Sequence, residues 1–336
     1  MALLVLIGLL GLGLAACGGQ SGPDGGGERL PDRGVSPYER VLPQGDEGPT
    51  HVLLAPDGRN LGAPSALAQG SRVWLWAEDT GLSGEGGQIV AATSDDGGQS
   101  WGPLAPSLVP EAVPWGPAGL RWPAVAAHEG AYWMVFGEEG GQRLGLARAD
   151  APEGPWEAQE LPALHAQEPW EAGGIASPSL VSAPKGLILF YEARAEADGP
   201  SSLARAALRG GAWARDGVVL PPGEGCLDAG GALERCWDAD GVQSAEVRLA
   251  TTATGRRLWR AMYLGGRDGI GFAGSWDGVT WSRYAFNPSF DPAGRQREPS
   301  NLRLGDDYLL FFESAEGTQR GIGLAILRAD NPTERF

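Results

Sequence analysis

Apolar residues along this chain gather in runs of strand length, and one set of runs recurs. Its clearest copy lies between Ser177 and Trp213. Ser177-Pro178-Ser179-Leu180-Val181 is a short extended stretch, and Leu187-Ile188-Leu189-Phe190-Tyr191-Glu192 is an apolar run ending in an acid. Ser202-Leu203-Ala204-Arg205-Ala206-Ala207-Leu208 is a third run, followed by a Gly-rich turn and Trp213. Three such runs split by turn residues predict one antiparallel sheet. The best helical candidate, Ser201–Ala214, coincides with the third run and is overruled by its repetition.

The opening run recurs at Ala63-Pro64-Ser65-Ala66-Leu67, Trp122-Pro123-Ala124-Val125 and Glu298-Pro299-Ser300-Asn301-Leu302, and in degenerate form at Ser244-Ala245-Glu246-Val247. The second run recurs at 73–78, 132–138, 259–264 and 308–313, the third at 89–94, 144–149, 270–275 and 322–327. Closing tryptophans stand at Trp101, Trp156 and Trp281, and the fifth copy runs out before its outer strand. A unit of this length with three or four strands predicts propeller blades. The fold class is therefore all-β, a five-bladed β-propeller whose ring is closed by an N-terminal strand. Thr50-His51-Val52-Leu53-Leu54 or Tyr38–Leu42 supplies that strand. A non-closing β-sandwich array is the alternative.

The chain ends refine this picture. Residues Ala2–Ala16 are uncharged and almost wholly apolar, short for a membrane span but suited to a signal-peptide core. They end in Leu14-Ala15-Ala16-Cys17, which resembles a bacterial lipobox. The resemblance implies cleavage before Cys17, lipid on its sulfur and, with no Asp following, the outer membrane if the cell is Gram-negative. The stretch after Cys17 is rich in Gly, Pro, Asp and Ser and reads as a tether. The expected domains are a signal peptide over 1–16, a lipidated tether over 17–49 and the propeller over 50–336.

A formal net charge of −16 argues against nucleic acid as a partner. With Cys17 assigned to lipid, Cys226 and Cys236 remain in an export-facing domain where thiols oxidise, in a loop between the third and fourth units. A disulfide is favoured over a metal pair there, since no His or third Cys stands nearby.

Two turns, Ser94-Asp95-Asp96-Gly97-Gly98-Gln99-Ser100-Trp101 and Ser275-Trp276-Asp277-Gly278-Val279-Thr280-Trp281, resemble the Asp-box of sialidases and other propellers. The Asp carboxylate can accept turn N–H groups while Gly takes positive φ. Such turns join third and fourth strands away from the mouth, a structural role.

A site has to form where strand geometry converges. If each first strand lines the axis, the start of that strand and the end of the next surround one funnel. The openings contribute Arg121, Trp122, Ser177, Gln243, Glu246, Arg297 and Glu298. The ends of the second runs contribute Glu78, Asp79, Glu138, Glu139, Glu192, Arg194, Arg267, Asp268 and Glu313, with Glu at the same place in four of the five. Carboxylates and arginines bond sugar hydroxyls, and an indole stacks on a sugar ring, so this set suits an oligo- or polysaccharide. Crowded acids also raise each other's pKa. For any single Glu, a solvated or Arg-paired strand end is the simpler reading.

Arg121-Trp122-Pro123-Ala124-Val125 followed by Gly130-Ala131-Tyr132-Trp133-Met134-Val135-Phe136, together with Asp150-Ala151-Pro152-Glu153-Gly154-Pro155-Trp156, resembles the five-bladed glycosidase superfamily. Its members are arabinanases, β-xylosidases and, more distantly, invertases and levansucrases. The likeness covers about Thr50 to Asp330. It implies a glycoside hydrolase, yet the family's base Asp, supporting Asp and acid Glu fall on Ala63, Trp122 and Ser177. A displaced catalytic pair would set Glu298 or Glu246 against Glu192, Glu138 or Glu171. Arg121, Trp122, Glu78, Glu138, Arg194, Arg297 and Glu313 would bind substrate.

His51, His128 and His165 are widely spaced, so a His-based zinc site or Ser-His-Asp triad has little support. No cofactor is expected, although calcium held by oxygen ligands is compatible with an acidic mouth. Three readings stay open: a lipid-anchored sugar-binding propeller of the cell envelope, an active glycosidase with relocated carboxylates, and a protein-interaction scaffold.

Overall fold

The computed structural model describes residues 39–41, 51–81, 84, 86–227, 233, 234, 236–252, 255–265, 269–284, 287, 288, 296–316 and 319–327. The signal segment 1–16, Cys17, most of the tether, Arg267 and Asp268 lie outside the described residues. Among those described, no helix is long and apolar enough to cross a membrane.

Strand β1 (Glu39–Val41) stands apart in sequence from the rest. Blade I comprises β2 (Asn60–Gln69), β3 (Arg72–Thr80), β4 (Gln88–Ser94) and β5 (Ala105–Leu108). Blade II comprises β6 (Leu120–His128), β7 (Ala131–Glu138) and β8 (Arg143–Ala149), with β9 (Glu157–Ala158) and β10 (Leu164–His165) both paired to β8. Blade III comprises β11 (Gly174–Ala183), β12 (Gly186–Arg194), β13 (Ser201–Arg209) and β14 (Ala212–Leu220). After the small hairpin β15 (Cys226–Leu227) and β16 (Leu233–Glu234), blade IV comprises β17 (Gln243–Thr251), β18 (Arg257–Leu264), β19 (Ile270–Ser275) and β20 (Ser282–Arg283). Blade V comprises β21 (Gln296–Leu304), β22 (Asp307–Glu316) and β23 (Gln319–Leu327).

All blades are antiparallel meanders, and the expected five-bladed propeller is what forms. The fourth strand of blade V is β1, paired antiparallel to β23 with Glu39 opposite Ile326 and Val41 opposite Leu324. The other candidate segment, containing Val52 and Leu53, also contributes: Ile322 N donates to Leu53 O at 2.9 Å, and Val52 N to Ile322 O at 2.8 Å. The closing strand thus falls inside the 17–49 segment that composition assigns to the tether.

Each blade packs on the next, so both faces of a central strand are covered and the strands read as nearly continuous apolar runs. Trp76, Phe136, Tyr191, Tyr263 and Phe312, all on second strands, are fully buried. Five hydrophobic clusters fill the five interblade spaces, including one that joins Leu302, Leu309 and Phe311 of blade V to Leu61, Leu75 and Val90 of blade I. Burying one such side chain contributes about 1.5–3 kcal/mol. A continuous circuit of these contacts makes closure cooperative.

The inner strands carry two repeated devices. First, each has a register shift at its opening, and the shifted residue is left-handed: Ala63 (φ 46°), Trp122 (49°), Ser177 (40°), Ser244 (46°) and Glu298 (51°). None is glycine, so each is held against an intrinsic cost of about 1–2 kcal/mol. Second, the side chain two residues later bonds the following blade. Ser65 Oγ accepts Val125 N at 2.9 Å, Ser179 Oγ accepts Val247 N at 2.8 Å, and Ser300 Oγ accepts Ala66 N at 3.0 Å. In blade IV the same place holds Glu246, which accepts from Asn301 N.

The two Asp turns join third to fourth strands on the face opposite the mouth. Asp96 Oδ1 accepts Gln99 N (3.0 Å) and Ser100 N (2.9 Å), while Asp277 Oδ1 accepts Val279 N (2.8 Å) and Thr280 N (2.7 Å). Trp101 and Trp281 tuck beneath, meeting Phe311 and Phe190 of adjacent blades edge-on at 5.8 Å. Cys226 and Cys236 form the expected disulfide, which closes the hairpin between blades III and IV.

Candidate functional site

The five inner strands β2, β6, β11, β17 and β21 surround an axial well whose rim is the ring of left-handed residues, Ala63, Trp122, Ser177, Ser244 and Glu298. The bulge explains the ring: a register shift turns one side chain per blade out of the pleat toward the axis. The cavity itself is only about 60 Å³. Ligand pockets run from about 300 to 1,000 Å³, so this one holds a few waters or the edge of a ligand. It is blocked below by an ion pair of Glu246 with Arg248, whose Nη2 reaches across to Ala66 O at 3.1 Å. A sugar ring would therefore sit at the rim.

Glu78, Glu298 and Glu313 converge where blade V meets blade I, their oxygens within 4.8 Å of one another. Glu298 Oε2 accepts Ala63 N at 2.6 Å. Burial, then the charges of Glu313 and Glu78, push the Glu298 pKa well above the usual carboxylate range, and its carboxyl bonds that of Glu313. Burial likewise raises Glu78, against the pull of Arg121. Arg121 Nη1 lies 3.4 Å from Glu78, and Arg320 Nη1 lies 3.2 Å from Glu313. Two guanidiniums, those of Arg121 and Arg320, thus face this cluster of three carboxyl groups. Calcium takes six to eight oxygens; three carboxyl groups already matched by two arginines do not fit it.

The second-strand acids hold the rim in place. Glu78 Oε2 accepts Trp122 N at 3.3 Å, and Glu192 Oε2 accepts Ser244 N at 3.1 Å, each reaching the left-handed residue of the next blade. Glu192 also pairs with Arg194; burial raises its pKa while Arg194 and the Ser244 N–H oppose that rise. The expectation of Glu at one shared position in four blades needs correction. Residues 78, 137, 192, 264 and 313 are in register, as shown by their partners Gly62, Arg121, Ala176, Gln243 and Arg297. Position 137 is glycine, and Glu138 lies one residue further on, bonded to Arg143 Nε at 2.8 Å. A one-residue step in a strand moves a side chain to the other face. Arg297 is exposed beside Glu298.

Glu246 is half-buried, its pKa raised by burial against the pull of Arg248, and it sits below the rim rather than on it. Glu171 lies elsewhere. It is fully buried in the turn before β11, accepting Tyr191 Oη (2.6 Å), Arg215 Nε (2.8 Å) and the N–H groups of Gln167 and Glu168. Burial would raise its pKa, but Arg215, Tyr191 and the two amides outweigh that and hold it low. The next blade repeats the arrangement: buried Asp238 accepts Tyr263 Oη at 3.0 Å and Arg283 Nε at 2.6 Å. Sequence reading misses these clamps, along with Arg320 and Arg248. Arg248 did leave a signal, since its column otherwise holds Leu67, Ala126, Val181 and Leu302.

A closed five-bladed ring with a rimmed axial well is the architecture of five-bladed propeller glycosidases, and solved structures bear this out at the level of fold. A glycoside hydrolase superposes with a TM-score of 0.64 at 17% identity, covering 83% of this chain and 92% of that one. A thermostable family-43 glycoside hydrolase gives 0.60 at 16% identity over 81% and 91%. A GH43 enzyme from Xanthomonas citri complexed with xylotriose gives 0.56 at 17% identity over 86% and 90%. No protein family and no curated protein matches the sequence. The chain shares the GH43 fold; its chemistry has to be argued from its own residues.

Proposed function

We propose that this chain is a lipid-anchored, extracytoplasmic propeller that binds carbohydrate at the rim of its axial well without hydrolysing it. One observation carries the reading. Of the five left-handed rim positions, only Glu298 bears a carboxylate, and that group is already engaged by Ala63 N and Glu313. Hydrolysis needs two carboxyl groups about 5–9.5 Å apart with a sugar between them. Here the nearby acids crowd within 4.8 Å and two of the three are buried. The rim does keep a half-exposed Trp122, the Ser177 and Ser244 hydroxyls and an exposed Arg297, which are groups that hold sugars. The lipobox-like Leu14-Ala15-Ala16-Cys17 supports attachment to the cell envelope, to the outer membrane in a Gram-negative cell.

A second reading, an active glycosidase, is favoured by the raised pKa of Glu298, because a general acid must keep its proton near neutral pH. A glycan array followed by product analysis separates the two. Binding without cleavage supports the first, and cleavage abolished by Glu298→Gln establishes the second. Neither binding nor cleavage leaves a protein-interaction scaffold. Labelling with palmitate and its loss in Cys17→Ser tests the anchor.

A further inference from the structure

A second cavity, of about 560 Å³, lies away from the axial well, between the segment 55–59 that leads into β2 and the outer part of blade I. It falls in the range of ligand pockets, about 300–1,000 Å³. The axial well, at about 60 Å³, does not. Buried Ala55 and Val90 and half-buried Leu104 give the groove an aliphatic base, and Pro56, Pro106 and Pro110 wall it. Among the described residues no aromatic ring lines it, so a sugar has no face to stack on.

Its polar part is built around one buried carboxylate. Asp79, 6% exposed, accepts Arg59 Nε at 2.7 Å through Oδ1 and Gln88 Nε2 at 2.9 Å through Oδ2. Arg59 Nη2 donates to the Asp79 carbonyl at 3.2 Å. Asp79 thus orients both side chains. Among the described residues Arg59 Nη1 is left as an unused donor and Gln88 Oε1 as an unused acceptor. Arg59 and Asp79 cancel in charge. Exposed Glu111, which also lines the groove and pairs with no cation among the described residues, leaves it net negative.

We infer that this groove binds an extended peptide of a partner protein, with a backbone amide between Arg59 Nη1 and Gln88 Oε1, aliphatic side chains against Val90 and Leu104, and a basic side chain facing Glu111. A donor beside an acceptor matches the C=O and N–H that every non-prolyl peptide unit carries. An acidic ligand would meet the Gln88 oxygen and Glu111 with only Arg59 to receive it. The inference stands apart from the carbohydrate reading, since no residue of the groove lines the axial well.

The test is calorimetric titration of the full chain with two capped peptides, acetyl-Ala-Leu-Val-Lys-amide and acetyl-Ala-Leu-Val-Glu-amide, and with xylotriose. The wild type is compared with Arg59→Met, Glu111→Lys and Ala118→Trp, each checked by thermal melting; Ala118 is an exposed residue of the groove wall, where an indole would fill the space. The lysine peptide should bind and the glutamate peptide should not. Arg59→Met and Ala118→Trp should each weaken the lysine peptide by about tenfold or more. Glu111→Lys should reverse the preference between the two peptides. Xylotriose should respond identically in all four proteins. If Arg59→Met melts early, the other two variants decide. No binding of the lysine peptide, equal binding of both peptides, or binding untouched by Glu111→Lys and Ala118→Trp would overturn the inference. Binding that appears only after residues 328–336 are deleted would assign the groove to the chain's own tail, and self-association lost in Ala118→Trp would assign it to a second copy; either overturns it too.

Discussion

Arg248 of blade IV donates from Nη2 to the Ala66 carbonyl of blade I at 3.1 Å, so a single side chain bridges two blades that are not neighbours. It also neutralises Glu246, whose side chain is 13% exposed. Arg248→Met strands that carboxylate. Loss of a partner in a fully buried pair costs about 3–5 kcal/mol. Because the Arg248 side chain is 36% exposed, about 2–3 kcal/mol is expected, read as a shift in urea denaturation midpoint. Glu246→Ser combined with Arg248→Leu installs the residues that blade V has as Ser300 and Leu302, and should recover most of the loss.

Glu298 makes the stability of the ring seam depend on pH. Its folded pKa lies well above the ordinary carboxyl value of 4.5. The folded state therefore holds a proton that the unfolded chain releases. The contribution is full below pH 4.5 and is lost as pH rises through the folded pKa. Glu298→Gln keeps an amide donor for Glu313 and an acceptor for Ala63 N but does not titrate. Melting temperatures of the two proteins should diverge in favour of the variant as pH rises from 4.5 toward 8. A constant difference would mean that Glu298 ionises normally.

The acid clamps of blades III and IV are structural. Tyr191→Phe removes one hydrogen bond from Glu171 and should cost about 1–2 kcal/mol. Arg215→Met removes the charge partner of a fully buried carboxylate and should cost about 3–5 kcal/mol. Denaturant titration of both variants, with glycan binding as a second readout, separates stability from function: binding by the folded fraction should be unchanged.

Acid denaturation should report the two Asp turns. Backbone N–H bonds from Thr280 and Val279 hold Asp277 down to about 2, and Ser100 and neighbouring amides hold Asp96 there against burial. Both lie below the ordinary 3.8, so their contribution is present above pH 3.8 and lost as pH falls through about 2. Asp96→Asn with Asp277→Asn should lower the melting temperature at pH 6 and remove part of its fall between pH 4 and 2.

Much of the fold is legible in the chain. Apolar runs mark each inner, second and third strand, and the missing last strand of the fifth unit calls for an N-terminal partner, which Glu39–Val41 supplies. The rim is less legible, because a left-handed backbone is normally signalled by glycine and these five positions hold Ala, Trp, Ser, Ser and Glu. Without the bulge in view, Glu138 counts as one of a set that its register excludes, and Gly137 looks incidental. Glu171 illustrates the other limit. Its acid type invites a catalytic reading, yet the residues that engage it, Tyr191 and Arg215, lie in separate strands of the following blade and only the folded chain brings them to it.

The pairing of β1 with β23 sets an order of assembly. The first of the described strands to leave the ribosome meets its partner last, after almost every other described residue has been made. Contacts so distant in sequence form slowly. Until they do, β23 is a naked edge open to strands from other molecules. Deletion of Glu39–Val41 should therefore leave the β23 edge uncovered and raise aggregation, and keeping the nascent polypeptide extended until its tail emerges would suit this topology.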